Sequence, residues 1–569
     1  MDGGPAGGSA VDGRIDRAGR GGAAVSGGAA GGAGAVRTVR GAVFDVLRRH
    51  GLTTVFANPG STEVALLTDL PEDLRFVLAL HEGSVVGMAT GWAIARERPA
   101  LALLHTTAGL GNAVGALATA RVNRAPLVVL VGQQDRRHLA LEPFLTGRLA
   151  GLAGDYPVRV EQPARAQDVP GAVGRACHEA VHGGGPALVI VPMDDWAAPF
   201  PDDEPPAAAL AVHRVAAVDG ADVARVAALL DEARAPALVV GAGADGAAAW
   251  AALTRLAERL HAPVWQESFG ARAGFPQDHP LFAGHLPADR PRLRAALAGH
   301  DLVLTVGTAV WRQYPYTPGP LAPPGTRLVA VTADPAEAHR SPVDLAVLAP
   351  VAPFAARLAA HVTPRPGRPP APGRPTAPAE PPPDGGPLRP AQVFAALGAR
   401  LDAATVLVEE TPSSRPALHA LVPARAPLGF LSAAMGGLGF ALPAATGVRM
   451  ALPGRPVVAV VGDGSALYQV QALWSAARYG AGVLFVVLSN GRYAVMDRLA
   501  ERHGGKPPWP DFAEVSVAAL ARGLGCPARR VDRHDELVAV LDEVVPTLAE
   551  RAEPLLLDVA VLADPDFQP

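Results

Sequence analysis

The sequence predicts an α/β protein built from three doubly wound parallel-sheet domains, and three observations carry that prediction. Short runs dominated by Val, Leu and Phe, as at 457–461 and 483–488, stop abruptly at glycine and a polar residue, the way a buried parallel strand ends at a ligand crevice. Between such runs lie stretches of helical composition, such as 469–478, which supply the right-handed crossover that parallel neighbours require. The chain is also 569 residues long, enough for about three domains.

Composition narrows the function classes. The formal charge is −4, near balance for this length, so neither nucleic acid nor an anionic membrane is an expected partner. Only Cys177 and Cys526 occur, with no accompanying Cys/His spacing, which argues against a disulfide scaffold or a zinc site. No charge-free apolar run reaches the ~18 residues of a membrane span, and no signal-peptide core opens the chain. A soluble, cytoplasmic protein acting on a small molecule is the expectation.

In chain order, residues 1–36 are mostly Gly and Ala, too poor in large apolar groups to offset chain entropy, and read as a disordered tail. The first domain, 37–200, opens at Thr38, an N-cap for a helix whose Val39, Val43, Val46 and Leu47 share a face, with Arg48, Arg49 and His50 in the last turn and Gly51 after it. Strands then recur at 53–57, 76–80, 101–104 and 127–131. They end, respectively, at Asn58-Pro59-Gly60-Ser61, at His81-Glu82-Gly83, at a glycine-rich loop from His105 to Asn112, and at Gly132-Gln133-Gln134. In a parallel sheet these loops share one edge, so Ser61, Glu82 and His105 can converge. Each also has a plainer structural reading: Glu82 as complement to a helix dipole, His105 as a satisfied strand-end histidine, Ser61 as an N-cap.

The second domain, 207–362, holds strands at 238–240, 302–306 and 328–331. Its first strand runs into Gly241-Ala242-Gly243-Ala244-Asp245-Gly246, formally the G-x-G-x-x-G of a dinucleotide site. In a chain with 62 glycines such a match arises easily, and no acidic residue is clearly spaced for a ribose. Residues 363–387 are dense in proline and read as a semi-rigid linker.

The third domain, 388–569, contains a helix at 390–400, a strand at 405–408 ending in Glu409-Glu410-Thr411-Pro412-Ser413-Ser414, a glycine-rich stretch at 433–443, and the two apolar runs of the opening. The first of those runs ends at Gly462-Asp463-Gly464-Ser465 and the second at Ser489-Asn490-Gly491-Arg492. A right-handed crossover sets Asp463 and Asn490 side by side at the carboxyl edge. Both are hard oxygen donors, and a backbone carbonyl just after Asn490 could add a third; such a set suits Mg2+ with phosphate oxygens completing the octahedron. Gly464 and Ser465 can offer backbone N–H groups and a hydroxyl to the same phosphates. A Walker-type loop is excluded because no Gly-Lys-Ser/Thr follows the glycines, and an ordinary turn is the remaining alternative.

The pair of Gly462-Asp463-Gly464 and Asn490 resembles the diphosphate and metal motif of thiamine-diphosphate-dependent enzymes, with Ser489-Asn490 standing for the family's usual Asn-Asn doublet. Asn58-Pro59-Gly60-Ser61, His81-Glu82-Gly83, Leu104-His105 with Ala108-Gly109, and Gly132-Gln133-Gln134 are similar to the family's pyrimidine-binding domain, above all in its benzoylformate decarboxylase branch. The resemblance implies a pyrimidine-binding first domain, a Rossmann-like central domain and a diphosphate- and Mg2+-binding third domain. It implies thiamine diphosphate and Mg2+ as cofactors, with FAD, which some relatives hold on the central domain, a less favoured addition.

The same resemblance implies residue roles. Glu82 would hydrogen-bond the aminopyrimidine N1′, and Leu438 would wedge between the two coenzyme rings. Pro59, Gly60, Ser413, Gly436, Gly464, Ser465 and Tyr493 would line the coenzyme, and Asp463, Asn490 and Arg492 would hold the metal. Ser61, His105, Leu110, Tyr314, Val495 and Leu499 would face the substrate, Ser61 and His105 with catalytic roles. Tyr314 departs from the branch, standing where a second catalytic histidine is carried. The implied activity is non-oxidative decarboxylation of an aryl or bulky 2-oxo acid to the aldehyde and CO2. The alternative is an acetolactate-synthase-like carboligase that joins the decarboxylated acid to a second carbonyl. A homodimer or homotetramer is implied, because in the family two chains share each site.

Overall fold

The computed structural model describes residues 36–205, 208–213, 217–367 and 386–564. The expected tail, apart from Val36, and most of the expected linker lie outside the described residues. Three six-stranded sheets succeed one another along the chain, and every strand pairing within them is parallel. Strands such as Ala100–His105, Leu127–Gln133 and Pro186–Pro192 are buried over almost their whole length and apolar until their carboxyl ends, because helices cover both faces of the sheet, leaving no solvated side to alternate against.

The first sheet comprises β1 (Thr54–Asn58), β2 (Arg75–Leu78), β3 (Ala100–His105), β4 (Leu127–Gln133), β5 (Arg159–Glu161) and β6 (Pro186–Pro192), in the order β2-β1-β3-β4-β6-β5. The second comprises β7 (Pro236–Val240), β8 (Val264–Gln266), β9 (Phe282–His285), β10 (Leu302–Val306), β11 (Arg327–Thr332) and β12 (Leu345–Leu348), in the order β12-β11-β10-β7-β8-β9. Counted from its own first strand, this sheet has the 3-2-1-4-5-6 order of a Rossmann fold. The third comprises β13 (Val406–Glu410), β14 (Phe430–Ser432), β15 (Val457–Gly462), β16 (Leu484–Ser489), β17 (Ala528–Val531) and β18 (Leu555–Ala560), in the order β14-β13-β15-β16-β18-β17. Its winding repeats that of the first sheet, so each has a topological switch beside its first strand: β1/β3 in one, β13/β15 in the other.

The first helix, Val39–His50, follows the expected signals: the Thr38 hydroxyl accepts from Gly41 N, and Gly51 closes the helix at φ 67°. The expected strand at 76–80 ends sooner, at Leu78, and the helix after it starts at Glu82 itself. The crossover between β15 and β16 is broken into Asp463–Ala466, a 3-10 turn Leu467–Gln469, and Ala472–Arg478.

The first and third domains share one apolar core that runs from Phe56, Met88 and Leu104 to Leu442, Val457 and Phe485. Its seam is the helix pair Glu82–Arg96 and Ala441–Ala451, where Gly91 lies against the Ala444 carbonyl and Gly447 against the Met88 carbonyl, leaving no room for a Cβ at either. Among the described residues no helix is long and apolar enough to cross a membrane. Cys177 and Cys526 are both free and buried, and burial pushes each thiol up to about 12.

Candidate active site

At the carboxyl edge of the first sheet, adjacency of β2, β1 and β3 brings three loops together. Glu82 is the first residue of the helix Glu82–Arg96, capped by His81, whose Nδ1 accepts from Gly83 N at 3.0 Å. The residue is 8% exposed and its carboxylate is held at both oxygens: Asn58 Nδ2 donates to Oε1 and Asn112 Nδ2 to Oε2, each at 3.1 Å. A glutamate placed only to complement a helix dipole needs no such clamp.

His105, the last residue of β3, is the neighbour of Glu82. Gly109 lies between them, where an added Cβ would stand 3.5 Å from His105 Cβ and 3.6 Å from Glu82 Cγ. Nδ1 of His105 is 2.9 Å from Thr62 Oγ1 and 3.0 Å from Glu63 Oε2. The Thr62 hydroxyl donates its one proton to Glu63 Oε1, so toward His105 it accepts, and an ionised Glu63 only accepts. The proton of a neutral ring therefore sits on Nδ1, and Nε2 carries the lone pair. Gly60 makes room for this ring, since a Cβ there would fall 2.5 Å from it, and Gly60 N donates to Glu63 Oε2 at 2.7 Å.

Ser61 is exposed at the start of the 3-10 turn Ser61–Glu63, in sequence between Gly60 and Thr62, which both meet this histidine; Pro59, before Gly60, is also exposed. Thr62 and Glu63, both almost fully buried, belong to the site although sequence reasoning passed over them. Their only signal was a glutamate three residues after Gly60, which reads as helix capping and hides the contact to His105. Leu110, expected to face the substrate, lies on the helix that follows His105. The helix Thr106–Val122 begins directly after β3, so one turn later Leu110 is turned inward and packs, fully buried, in the core.

At the third sheet, β15 and β16 are neighbours and Asp463 and Asn490 stand at their ends. Asp463 Oδ1 accepts from Gly464 N (2.8 Å), and Oδ2 accepts from Asn490 N (2.8 Å) and Gly491 N (2.7 Å). Burial nevertheless holds its carboxyl above the usual carboxylate range. No cationic side chain pairs with it among the described residues. Three of its about four lone-pair directions are used, which leaves one on Oδ1 for a cation. Asn490 Oδ1 accepts from Arg492 N at 3.1 Å.

No group of three or more His, Cys, Asp or Glu side chains could hold a metal among the described residues. A cation at Asp463 would accordingly need the Asn490 carboxamide, a backbone carbonyl and outside oxygens such as phosphates, and buried Asp463, with no cationic partner among the described residues, beside half-buried Asn490 fits Mg2+ in that way. Ser465 is buried beside Asp463, and half-buried Ser413 lies in the loop after β13, the other neighbour of β15. Tyr493 is 37% exposed and tilted against Phe512, with Gly464 beneath its ring. Val495 and Leu499 are half-buried on the helix Ala494–Arg502, in which Ala494 alone is fully buried.

Within one chain the two edges are tied through Gln469. Ser84 Oγ donates to its Oε1 at 2.6 Å, and its Nε2 lies 3.2 Å from His81 Nδ1. Leu438 sits half-buried in the turn between β14 and the helix Ala441–Ala451, outside the packed core. Tyr314 is 52% exposed, and its segment is anchored to that turn by Arg312, whose Nη1 donates to Ala434 O at 2.7 Å.

In the second domain the loop after β7 is filled by the protein's own groups. Gly243 packs on the Gly307 backbone, and Asp245 pairs with Arg272 at 3.3 Å and accepts from Leu428 N at 3.0 Å. Arg272 in turn donates to Ala242 O at 3.3 Å.

Three segments match the thiamine pyrophosphate enzyme family: its N-terminal TPP binding domain over residues 37–150, its central domain over 223–358 and its C-terminal TPP binding domain over 412–559. A benzoylformate decarboxylase from Pseudomonas aeruginosa is 41% identical over 527 residues, covering 92% of this chain and 99% of that protein. The thiamine diphosphate-dependent 4-hydroxybenzoylformate decarboxylase of Rhodococcus jostii superposes with a TM-score of 0.88 at 37% identity, over 93% of this chain and 100% of that one. The benzoylformate decarboxylase of Polynucleobacter necessarius superposes at 0.86 with 32% identity, over 94% and 100% respectively.

Proposed function

The chain belongs to the thiamine pyrophosphate enzymes, and from that premise we propose that it decarboxylates an aryl 2-oxo acid, releasing the aldehyde and CO2 without oxidation. The observation that carries this reading is Glu82, a buried carboxylate clamped at both oxygens beside a histidine of fixed orientation, at the sheet edge where the relatives' coenzyme-binding segment aligns.

Residues 37–200 are the pyrimidine-binding domain in this proposal, 207–362 the central domain and 388–569 the diphosphate-binding domain. Thiamine diphosphate, when bound, supplies the nucleophile that attacks the 2-oxo carbonyl and the electron sink that lets CO2 depart. The protein's share is geometry and proton traffic. Glu82 holds the aminopyrimidine N1′, and the Asn58 and Asn112 donors keep it from turning away. His105 presents Nε2 to the substrate, orients its carboxylate and moves a proton, while Ser61 offers a hydroxyl from the same loop. Asp463, Asn490 and the Arg492 carbonyl hold Mg2+. Pro59 and Gly60 line the pyrimidine side, Ser413, Gly436, Gly464 and Ser465 receive the diphosphate, and Tyr493 packs over Gly464. Leu438 props the coenzyme rings, and Val495, Leu499 and Tyr314 border the substrate.

The assembly is a homodimer or homotetramer and cytoplasmic. Exposed apolar side chains on the segment after β4, Leu141 at 82% and Phe144 at 88%, support a second copy covering them. Tyr314 in place of a histidine favours one further reading, transfer of the decarboxylated fragment to a second carbonyl. The discriminating experiment is product analysis with benzoylformate, thiamine diphosphate and Mg2+, with and without an acceptor aldehyde. Benzaldehyde in both arms supports the decarboxylase, and a 2-hydroxyketone as main product supports the carboligase.

A further inference from the structure

Glu410 ends β13 at the switch point of the third sheet and is 3% exposed. Its oxygens take three backbone amides: Oε1 from Gly439 at 2.6 Å, Oε2 from Phe440 at 2.8 Å and from Ala441 at 2.7 Å. These amides open the helix Ala441–Ala451 and have no intrahelical acceptors of their own. The turn they close carries Leu438 and is backbone-irregular, entering with Gly436 at φ 77° and leaving with Gly439 at φ 91°, angles that favour glycine. Its near end is fastened by Arg312 on Ala434 O and by Gly436 N on Ala433 O (2.9 Å), and its far end by Glu410.

We propose that Glu410 is a positioning residue whose ionised carboxylate fixes the turn that presents Leu438 to the coenzyme. The proposal rests on the thiamine-diphosphate reading above. Three N–H donors take three of the carboxylate's about four lone-pair directions, so a proton can enter only at the one left on Oε1, where it would weaken the charge-assisted bonds that hold the three amides. The ionised form is thus the one the turn is built around. Burial opposes it and lifts the carboxyl to about 7, against the pull of the three amides, and Glu409 on the same strand adds to the rise. Glu409 is itself paired with Arg415 at 2.8 Å. Across the sheet Glu410 pairs with Val461, two residues before Asp463. On the helix side it meets backbone, and Gly439 is flanked by the stems of Gln469 and Tyr468. Arg312 reaches the other end of the turn.

The test compares the full-length holoenzyme with Glu410→Gln, measuring kcat from about pH 5.5 to 8.5, KM for the 2-oxo acid, and thiamine diphosphate affinity. Wild-type kcat is expected to fall through an acid limb near the Glu410 transition, about 7. Glu410→Gln, which places an amide donor against amide donors, should lower plateau kcat about 10- to 100-fold and abolish that limb, with KM and coenzyme affinity within about threefold. Parental kcat, an unmoved limb, or a loss of coenzyme affinity matching the loss of kcat would each overturn the proposal. Should the variant not fold, hydrogen exchange on the wild-type holoenzyme decides. After correction for intrinsic rates, the amides of residues 439–441 should lose protection as pH falls through about 7, and constant protection refutes the assignment. Exchange needs no turnover, so it judges Glu410 even if no aryl 2-oxo acid is decarboxylated.

Discussion

A carboxylate tied at both oxygens cannot swing away, and an imidazole tied at Nδ1 offers one defined nitrogen; these two constraints are what the first sheet would add to the proposed reaction. The sheet-edge positions of Glu82 and Asp463 were legible in the sequence because each sits where an apolar run breaks into glycine and a polar residue. Glu63 and Glu410 were not legible. Both are buried glutamates whose partners, His105 and the amides of 439–441, are distant in sequence, so no spacing announces them. The burial of Leu110 was not legible either, since family position gives no account of which helix face turns to the core. At this scale Glu63→Gln is expected to lower kcat about 10- to 100-fold while sparing coenzyme affinity, since it acts through the His105 tautomer. Nitrogen-15 NMR of histidine, with His105 assigned by substitution, should show the Nδ1-protonated form in wild type and a mixed population in the variant. An unchanged tautomer with unchanged kcat would exclude the role.

Among the elements, strands were the easiest to anticipate, because a parallel strand covered on both faces must be apolar throughout and the sequence spells those runs openly. Their ends shifted by one or two residues where a helix began directly at the functional residue, as at Glu82 and Asp463. The crossover helix was expected over 469–478 and is shorter, Ala472–Arg478, with a 3-10 turn at Leu467–Gln469 before it. Composition could not show this, since Gln469 is spent on Ser84 and His81 of another domain. The packing of helix Glu82–Arg96 on Ala441–Ala451 was equally silent: glycines at 91 and 447 are common residues in this chain, and only the opposing carbonyls show why a side chain is barred. Gly91→Val should therefore destabilise the seam by about 1–3 kcal/mol or prevent soluble folding, read as a fall in Tm without coenzyme. An unchanged Tm would mean that the helices separate at no cost.

For the whole molecule, length and punctuation foretold three α/β units, and three parallel sheets are present. What no one-dimensional pattern reveals is that the first and third units wind identically and share one core, while the second winds as a Rossmann sheet and fills its glycine loop with its own Asp245–Arg272 pair. Nor does hydropathy tell a buried Leu from the exposed Leu141 and Phe144 after β4. If a second chain covers that segment, Phe144→Asp should shift the protein to a smaller species in sedimentation and weaken coenzyme uptake. A monomer of full activity would refute shared sites. The most direct test of the whole account is aldehyde release from benzoylformate by full-length protein with thiamine diphosphate and Mg2+, beside Glu82→Ala. The account predicts benzaldehyde and CO2 in equal amounts from the wild type and a loss of about 100- to 10,000-fold in the variant. Turnover by Glu82→Ala at the wild-type rate, or no aldehyde from the wild type with any aryl 2-oxo acid, would contradict it.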